Sequence, residues 1–279
     1  MTKLAVHLHL YYIEQLPLVL KYLRALQNTD CDLFVTMVEK NVVAEEKIKS
    51  TYPDAMIWLV ENRGYDIGPF IDFLHHIDLD DYQYVLKVHT KGLHSPNYTL
   101  LNGHRFNNAL WGKVLWESML ASKERLQENL QILDNHPEYG LLGSAYCLTS
   151  EKKDYEKMLP QINTELENMG LPTVKELSFI AGSMFLVKAS IFKPLQHYSL
   201  ADFPYTDGRI KEGTLAHVIE RVFGCLAQKI YPINHGSYIS GFIRVAIKRF
   251  LYQQKQTKRG TQVIKICKIP VYSKKLKEA

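Results

Sequence analysis

The sequence predicts an α/β fold built on a mostly parallel, doubly wound central sheet. Three observations lead there. The first 90 of its 279 residues alternate strand and helix patterns four times. The strand patterns are near-continuous apolar runs, as in sheets covered on both faces. Polar residues cluster where those runs stop, which is where open α/β sheets bind ligands.

Leu4 to Tyr12 reads as the first strand, with His7 and His9 on one face at the two-residue period. Ile13, Leu16, Leu20, Leu23 and Leu26 have helical spacing and predict a helix over 13–26. Asp32 to Val38 is a strand, Val42 to Thr51 a polar helix and Ala55 to Val60 a third strand. That strand runs into Glu61-Asn-Arg-Gly-Tyr-Asp-Ile-Gly-Pro-Phe70, and a helix follows over Ile71 to Ile77. The fourth strand starts near Tyr82, carries Val85, Leu86 and Val88, and ends in His89-Thr90-Lys91 before Gly92.

Asn102 to Leu133 reads as two helices or one broken helix, with Leu110, Trp111, Val114, Leu115 and Met119 as a core stripe. Pro137 closes it. Tyr139 to Tyr146 is a strand, and Glu151 to Met169 is amphipathic and charged. Leu177 to Lys188 reads as one strand with Ala181, Gly182 and Ser183 in its middle, where a glycine marks a bulge or a close approach. Ala189 to Leu195 is a short helix ended by Pro194. Thr214 to Gly224 is a helix with Gly224 at its C-terminus. Lys229 to Ile239 is the last strand, and no repeat or long linker precedes residue 241.

Hydrophobic residues make up 46% and charged residues 23%, an ordinary globular balance. The 17 tyrosines suit a polar, sugar-sized pocket and a core alike. Cys31, Cys147, Cys225 and Cys267 form no C-x-x-C pair, which argues against a zinc site and a disulfide framework and fits a reducing cytoplasm. The N-terminus lacks the pattern of a signal peptide, and no apolar run reaches the length of a membrane span. The net charge of +5 comes from the end of the chain, from Arg244 through Lys277; without that tail acidic residues are in excess. The division expected is a catalytic domain over 1–240 and a basic tail over 241–279, either a solvated terminus or an anchor on an anionic membrane surface. The body carries no nucleic-acid-binding signature, so no nucleic acid partner is expected.

Three polar constellations carry chemistry. In Arg63-Gly64-Tyr65-Asp66-Ile67-Gly68 the glycines allow tight turns, Arg63 suits a phosphate, and Asp66 suits a ribose or base. Asp66 also suits a helix cap. The spacing is neither G-x-G-x-x-G nor a P-loop. At the fourth strand end Lys91, with His89, suits a leaving diphosphate, because a lysine is a poor neighbour for a cation. No metal is therefore favoured; a divalent ion on His89 and His94 is the alternative. In Asp207 to Arg221, Glu212 sits just before a helix and suits a base, with Asp207 as runner-up. His217, Glu220 and Arg221 share a helical face, where an intrahelical ion pair is the plain reading for Glu220. G-x-S-x-G, H-E-x-x-H and a cysteine–histidine motif are all missing.

Five motifs in order resemble the rhamnan synthesis protein F family of bacterial glycosyltransferases. They are Ala5-Val-His-Leu-His-Leu-Tyr11, Asn62-Arg-Gly-Tyr-Asp-Ile-Gly68, Leu86-Lys-Val-His-Thr-Lys91, Phe179-Ile-Ala-Gly-Ser-Met-Phe185 and Gly213-Thr-Leu-Ala-His-Val-Ile-Glu-Arg221, and they span roughly residues 3–240. The resemblance implies a GT-A-like nucleotide-diphospho-sugar transferase fold and cell-surface polysaccharide assembly. It implies inverting rhamnosyl transfer from dTDP-L-rhamnose to a lipid-linked glycan, in the cytoplasm or on the inner face of the plasma membrane. UDP-hexose or UDP-galactofuranose as donor, or a non-catalytic nucleotide-sugar binding module, are the alternatives. The catalytic set expected is Glu212, in the place of the family's acidic residue, with Lys91 and Asp207 from the strand-end and loop chemistry above. The nucleotide-sugar set is His9, Arg63, Gly64, Asp66, His89, Thr90, Gly182, Ser183, His217 and Arg221. His89-Thr90-Lys91 stands where metal-dependent relatives keep aspartates, so no cofactor is expected. The acidic position before Gly-Thr-Leu-Ala-His is often Asp in that family, so Glu212 departs from the pattern.

Overall fold

The computed structural model describes residues 3–92, 99–101, 104–206, 213–234, 252–256, 261–266 and 269–275. Glu212, Asp207 and His94 lie outside them. The chain forms two compact units, Met1–His235 and Gly236–Ala279.

The first unit begins with β1 (Leu4–His9), every residue of which is buried. α1 (Leu16–Leu23) follows, with a proline in its first turn, where the missing N–H costs nothing. Then come β2 (Cys31–Met37) and α2 (Val42–Thr51), whose start is capped by the Asn41 side chain accepting from the Ala44 N–H. β3 (Met56–Leu59) leads into α3 (Ile67–His75). That helix starts earlier than its apolar pattern predicts, because Pro69 is tolerated in a first turn. β4 (Tyr84–His89) is buried throughout.

A small hairpin, β5 (Thr99–Leu101) and β6 (His104–Phe106), precedes α4 (Asn108–Leu120) and α5 (Lys123–Asn135). So the long helical pattern is two helices, each capped at its start by a side chain, Asn107 and Ser122. β7 (Leu141–Ser144), β8 (Leu148–Thr149), α6 (Leu159–Asn168), β9 (Phe179–Ile180), β10 (Phe185–Lys188), α7 (Leu215–Ala227) and β11 (Ile230–Ile233) complete the unit.

Seven strands form the central sheet in the order β11-β7-β10-β4-β1-β2-β3, and β10 alone runs against its neighbours. This is the expected α/β class, a mostly parallel central sheet flanked by helices. α1, α4 and α5 form one packed group and α3 and α7 another. Between α3 and α7 the rings of Phe70, Phe185, Phe192 and Phe223 interlock with centroids 5.2 to 6.3 Å apart.

Several elements differ from expectation. Leu177 to Lys188 is not one strand. β9 pairs with β8 in a separate two-stranded sheet, β10 joins the central sheet, and a turn at Ala181–Met184 separates them. Gly182 (φ +90°) and Ser183 (φ +48°) both take the left-handed backbone there, which no strand accommodates. Gly224 does not end α7 but lies inside it. A Cβ there would stand 1.8 Å from the Ser178 carbonyl oxygen, so the glycine serves a close helix–backbone approach. Pro194 falls inside a 3-10 run, Ala189–His197, instead of ending a helix.

β11 is not the last strand. The second unit holds an antiparallel sheet of β12 (Tyr252–Gln256), β13 (Thr261–Ile266) and β14 (Ile269–Lys275). Among the described residues no helix is long and apolar enough to cross a membrane.

Candidate functional site

The sheet order places the site. β1 lies between β2 and β4, so the chain's winding reverses at β1, and the crevice opens at the carboxyl ends of β1 and β4. The two strands are in parallel register, with His7 opposite Lys87 and His9 opposite His89. The two-residue period therefore puts four polar side chains on one face of two buried strands.

Each is bound internally. The Thr36 hydroxyl lies 3.0 Å from both His7 Nε2 and His9 Nδ1. Burial pushes the His9 imidazole down to about 3 and His7 well below its ordinary value. His89 is 4% exposed, with Nδ1 and Nε2 each 2.9 Å from a backbone carbonyl, of Thr90 and Gly182. Burial pushes it down to about 4, against the pull of Asp66. Thr90 Oγ1 accepts the Tyr11 and Tyr12 N–H groups at 3.0 and 2.9 Å, which ties the loop after β1 to the end of β4.

Lys87 is 1% exposed and donates to Asp66 Oδ2 at 2.5 Å and to the Ser183 carbonyl and hydroxyl at 3.0 Å. Ser183 Oγ donates to the same Asp66 oxygen at 2.5 Å. Asp66 stands at the N-cap of α3 but makes no capping bond with its side chain. Burial pushes its carboxyl up. The charges of His89 and Lys87 and two hydrogen bonds outweigh that and hold it well below the usual carboxylate range.

Asp66 is also part of the wall of a cleft of about 700 Å³, with Tyr65, Lys91, Trp111, Gly182, His217, Glu220 and Arg221 among its lining. Lys91 Nζ lies 3.9 Å above the Trp111 ring, a cation–π contact. Glu220 Oε1 accepts the Gly182 N–H at 2.8 Å, and its other oxygen pairs with Arg221 at 2.8 Å. Arg221 also donates to the carbonyls of Asp154 and His217. It is thus a brace between α7 and the 152–158 segment. His217 Nδ1 meets Thr214 Oγ1 at 2.8 Å, and its ring packs edge-on against Tyr65. A larger groove of about 960 Å³ runs past Leu166, Val174, Leu177 and Cys225 and touches none of the expected site residues.

The expected residues thus divide. Asp66, Lys91, Gly182, His217 and Arg221 line the cleft. His9, His89, Thr90 and Ser183 lie buried beneath it and organise it. His89 is buried and does not line the cleft, so its ring does not face a diphosphate or a metal ion there. Arg63 and Gly64 are placed elsewhere. Arg63 donates to Glu61 at 2.5 Å and the Phe203 carbonyl at 3.0 Å and stacks on Tyr205 at 3.6 Å. Gly64 (φ +63°) packs against the Phe203 ring, 2.7 Å from where a Cβ would stand. These contacts fasten the loop before α3 to residues 203–206. Gly213, the residue after Glu212, lines the cleft.

Trp111, expected in the core, lines the cleft, and Glu220 lines it too while making the expected ion pair within α7, with Arg221 at 2.8 Å. Lys87 was missed. Its signal was a charged residue between apolar neighbours in a buried strand, in step with His89. Near the β4 end the described residues offer the Asp66 carboxylate, already paired with Lys87 and Ser183, and Lys91, which adds a positive charge. That donor set does not suit a divalent cation.

Among known proteins, WxcX of Xanthomonas campestris pv. campestris (strain B100) is 29% identical over 169 residues, covering 59% of this chain and 22% of WxcX. The chain thus spans about a fifth of the length of the curated relatives it matches. S. aureus TarS 1–349 aligns with a TM-score of 0.44 at 12% identity, covering 85% of this chain and 59% of TarS. Glucosyl-3-phosphoglycerate synthase from Mycobacterium tuberculosis, solved with Mn²⁺ and UDP, aligns with a TM-score of 0.34 at 12% identity, covering 98% of this chain and 89% of the synthase. Residues 1–231 match the rhamnan synthesis protein F family, and the chain belongs to it.

Proposed function

We propose that the first unit is a GT-A-like, metal-independent glycosyltransferase acting on a nucleotide-diphospho-sugar. The observation that carries this reading is the position of Lys91. It is the end of β4, at the winding reversal, in the wall of a cleft of about 700 Å³. An ammonium there meets the charge that develops on a departing diphosphate, and such stabilisation is commonly the largest single contribution to catalysis. In the reaction proposed, Glu212, or Asp207 in its place, removes the proton of an acceptor hydroxyl. The hydroxyl oxygen bonds to the anomeric carbon from the face opposite the diphosphate. The bond from that carbon to the diphosphate oxygen breaks, with inversion.

The family supports rhamnose as the sugar, and dTDP-L-rhamnose is the donor proposed. A lipid-linked glycan is the acceptor proposed, with the second unit on an anionic membrane surface. The basic charge from Arg244 through Lys277 supports that placement. Deleting residues 245–279 should weaken binding to anionic liposomes; unchanged binding refutes the membrane role.

The first experiment is a thermal-shift series with dTDP, UDP, GDP and CMP, each with Mg²⁺ and with EDTA. Stabilisation by dTDP that EDTA does not alter supports the reading. Stabilisation by UDP or GDP changes the donor, and a strict need for metal refutes the role given to Lys91. Binding of donor with neither transfer nor hydrolysis favours a non-catalytic binding module.

A further inference from the structure

Asp66 belongs to two environments. Its Oδ2 atom is held from behind by Lys87 and Ser183, while its side chain, 21% exposed, forms part of the cleft wall. Lys87 is 1% exposed and does not line the cleft. We propose that Asp66 is the carboxylate that receives neighbouring hydroxyl groups of the nucleotide-sugar, and that Lys87 is the positioning residue that keeps it ionised and aimed. This rests on the reading of the cleft as a nucleotide-sugar site.

The surroundings of Asp66 fix its role. From β4 it meets Lys87 and, at 3.6 Å, His89 Nε2. His7 and His9 of β1 act on it through their charge when protonated, as does Lys91 beyond β4. Ser183 donates to it from the turn before β10, and Glu220 of α7 acts on Lys87 and Lys91. A carboxylate so surrounded by donors and positive charge is a weak base but a strong acceptor. It suits hydroxyl groups, which bring protons, and not phosphate, which brings like charge. The cleft is therefore polarised, with diphosphate at Lys91 and hydroxyl groups at Asp66.

Ser183 is not the reacting group. It is 2% exposed, and the lysine beside it is paired with a carboxylate and cannot take its proton. Two backbone features hold the arrangement. Tyr65 (φ +56°) and Ser183 (φ +48°), which flank it, both take the left-handed conformation that β-carbon-bearing residues avoid.

The test uses the full chain as wild type, Lys87→Met, Asp66→Asn and the double variant. Dissociation constants are measured from pH 5.5 to 8 for dTDP-L-rhamnose, UDP-glucose, UDP-GlcNAc and GDP-mannose, and for their nucleoside diphosphates. In the wild type, the best donor binds with little pH dependence. Asp66→Asn weakens it about tenfold or more at every pH. Lys87→Met weakens it at pH 5.5 and recovers toward pH 8, because burial without the ammonium carries the carboxyl up into that range. The double variant, which buries no unpaired charge, is weak and flat. An Asp66→Asn effect on the nucleoside diphosphate assigns the hydroxyls to the ribose; an effect only on the full donor assigns them to the sugar.

The proposal is overturned by Asp66→Asn binding like wild type, or by Lys87→Met matching the wild-type pH profile. A second readout needs no ligand. The Asp66 carboxyl ¹³C signal, assigned through Asp66→Asn, stays that of a carboxylate down to pH 4 in wild type and titrates between pH 5 and 8 in Lys87→Met. Titration above pH 4 in wild type refutes the role of Lys87. Failure of wild type to bind any donor refutes the site reading and the hydroxyl role with it, while the carbon signal still decides the part played by Lys87.

Discussion

The Lys87 ammonium stands 2.5 Å from Asp66 Oδ2, and Ser183 Oγ reaches the same oxygen. One partner comes from the middle of a buried strand and the other from the start of a helix, so the pair fastens α3 to the sheet directly under the cleft. Removing one partner of a buried pair costs about 3–5 kcal/mol, because the other charge is left in low dielectric. Lys87→Met should therefore lower the urea midpoint far more than Lys87→Met with Asp66→Asn. Equal losses in the single and double variants would show that the pair's charge does not matter to stability.

Two glycines should respond differently to alanine. At Gly182 a Cβ would lie 2.7 Å from Leu115 Cδ1 and 2.9 Å from Trp111 Nε1, both side-chain atoms. At Gly224 it would meet the Ser178 carbonyl oxygen, which belongs to the backbone and cannot turn aside. Gly182→Ala should cost about 1–3 kcal/mol from its left-handed backbone and displace the Trp111 wall. Gly224→Ala should cost more but leave donor affinity per folded molecule intact. Denaturant midpoints and donor titrations of the two variants, side by side, check this.

Lys91 predicts the alkaline limit of donor binding. Burial lowers its ammonium below the ordinary lysine value, and Asp66 and Glu220 oppose that. Donor affinity should fall at a pH below that where a free lysine titrates, near 10.4. Lys91→Arg should move that limb upward, since a guanidinium stays charged, and Lys91→Ala should abolish transfer while the fold survives. An alkaline limb that stays in place in Lys91→Arg would assign it to another group.

The buried histidines predict acid sensitivity. His9 and His89 are held neutral, at about 3 and about 4, whereas in the unfolded chain each takes up a proton near 6.5. The folded state then binds fewer protons than the unfolded one as pH falls. Stability present above pH 6.5 should decline from there, by about 3 kcal/mol down to about pH 4 for His89 and by about 5 kcal/mol down to about pH 3 for His9. Melting temperature against pH in wild type and His9→Gln measures it; the variant should show the shallower decline.

The strand ends were legible because polarity changes abruptly there. β4 ends at His89, and the polar run His89-Thr90-Lys91 marks that end in the sequence. The division of labour among the three residues was not legible. His89 and Thr90 are buried while Lys91 lines the cleft, and the Tyr11 and Tyr12 N–H groups that occupy Thr90 come from 79 and 78 positions away. Arg63 looked like a phosphate ligand because a guanidinium suits one; the neighbouring loop at 203–206 claimed it first. Leu177 to Lys188 looked like one strand because its composition is that of a strand on both sides of the turn.

The sequence by itself determined the α/β class, the parallel first half of the sheet and the end of it where polar residues gather, since these follow from local periodicity. Only the tertiary structure decided which polar groups meet. Asp66, Lys87 and Ser183 converge from positions 21, 96 and 117 apart. The β4–β10 register and the left-handed turn at Gly182 and Ser183 bring Lys87 and Ser183 together. The physical reason is that a buried charge must find an opposite charge wherever the chain crossing supplies one, and periodicity along a single strand carries no record of that crossing.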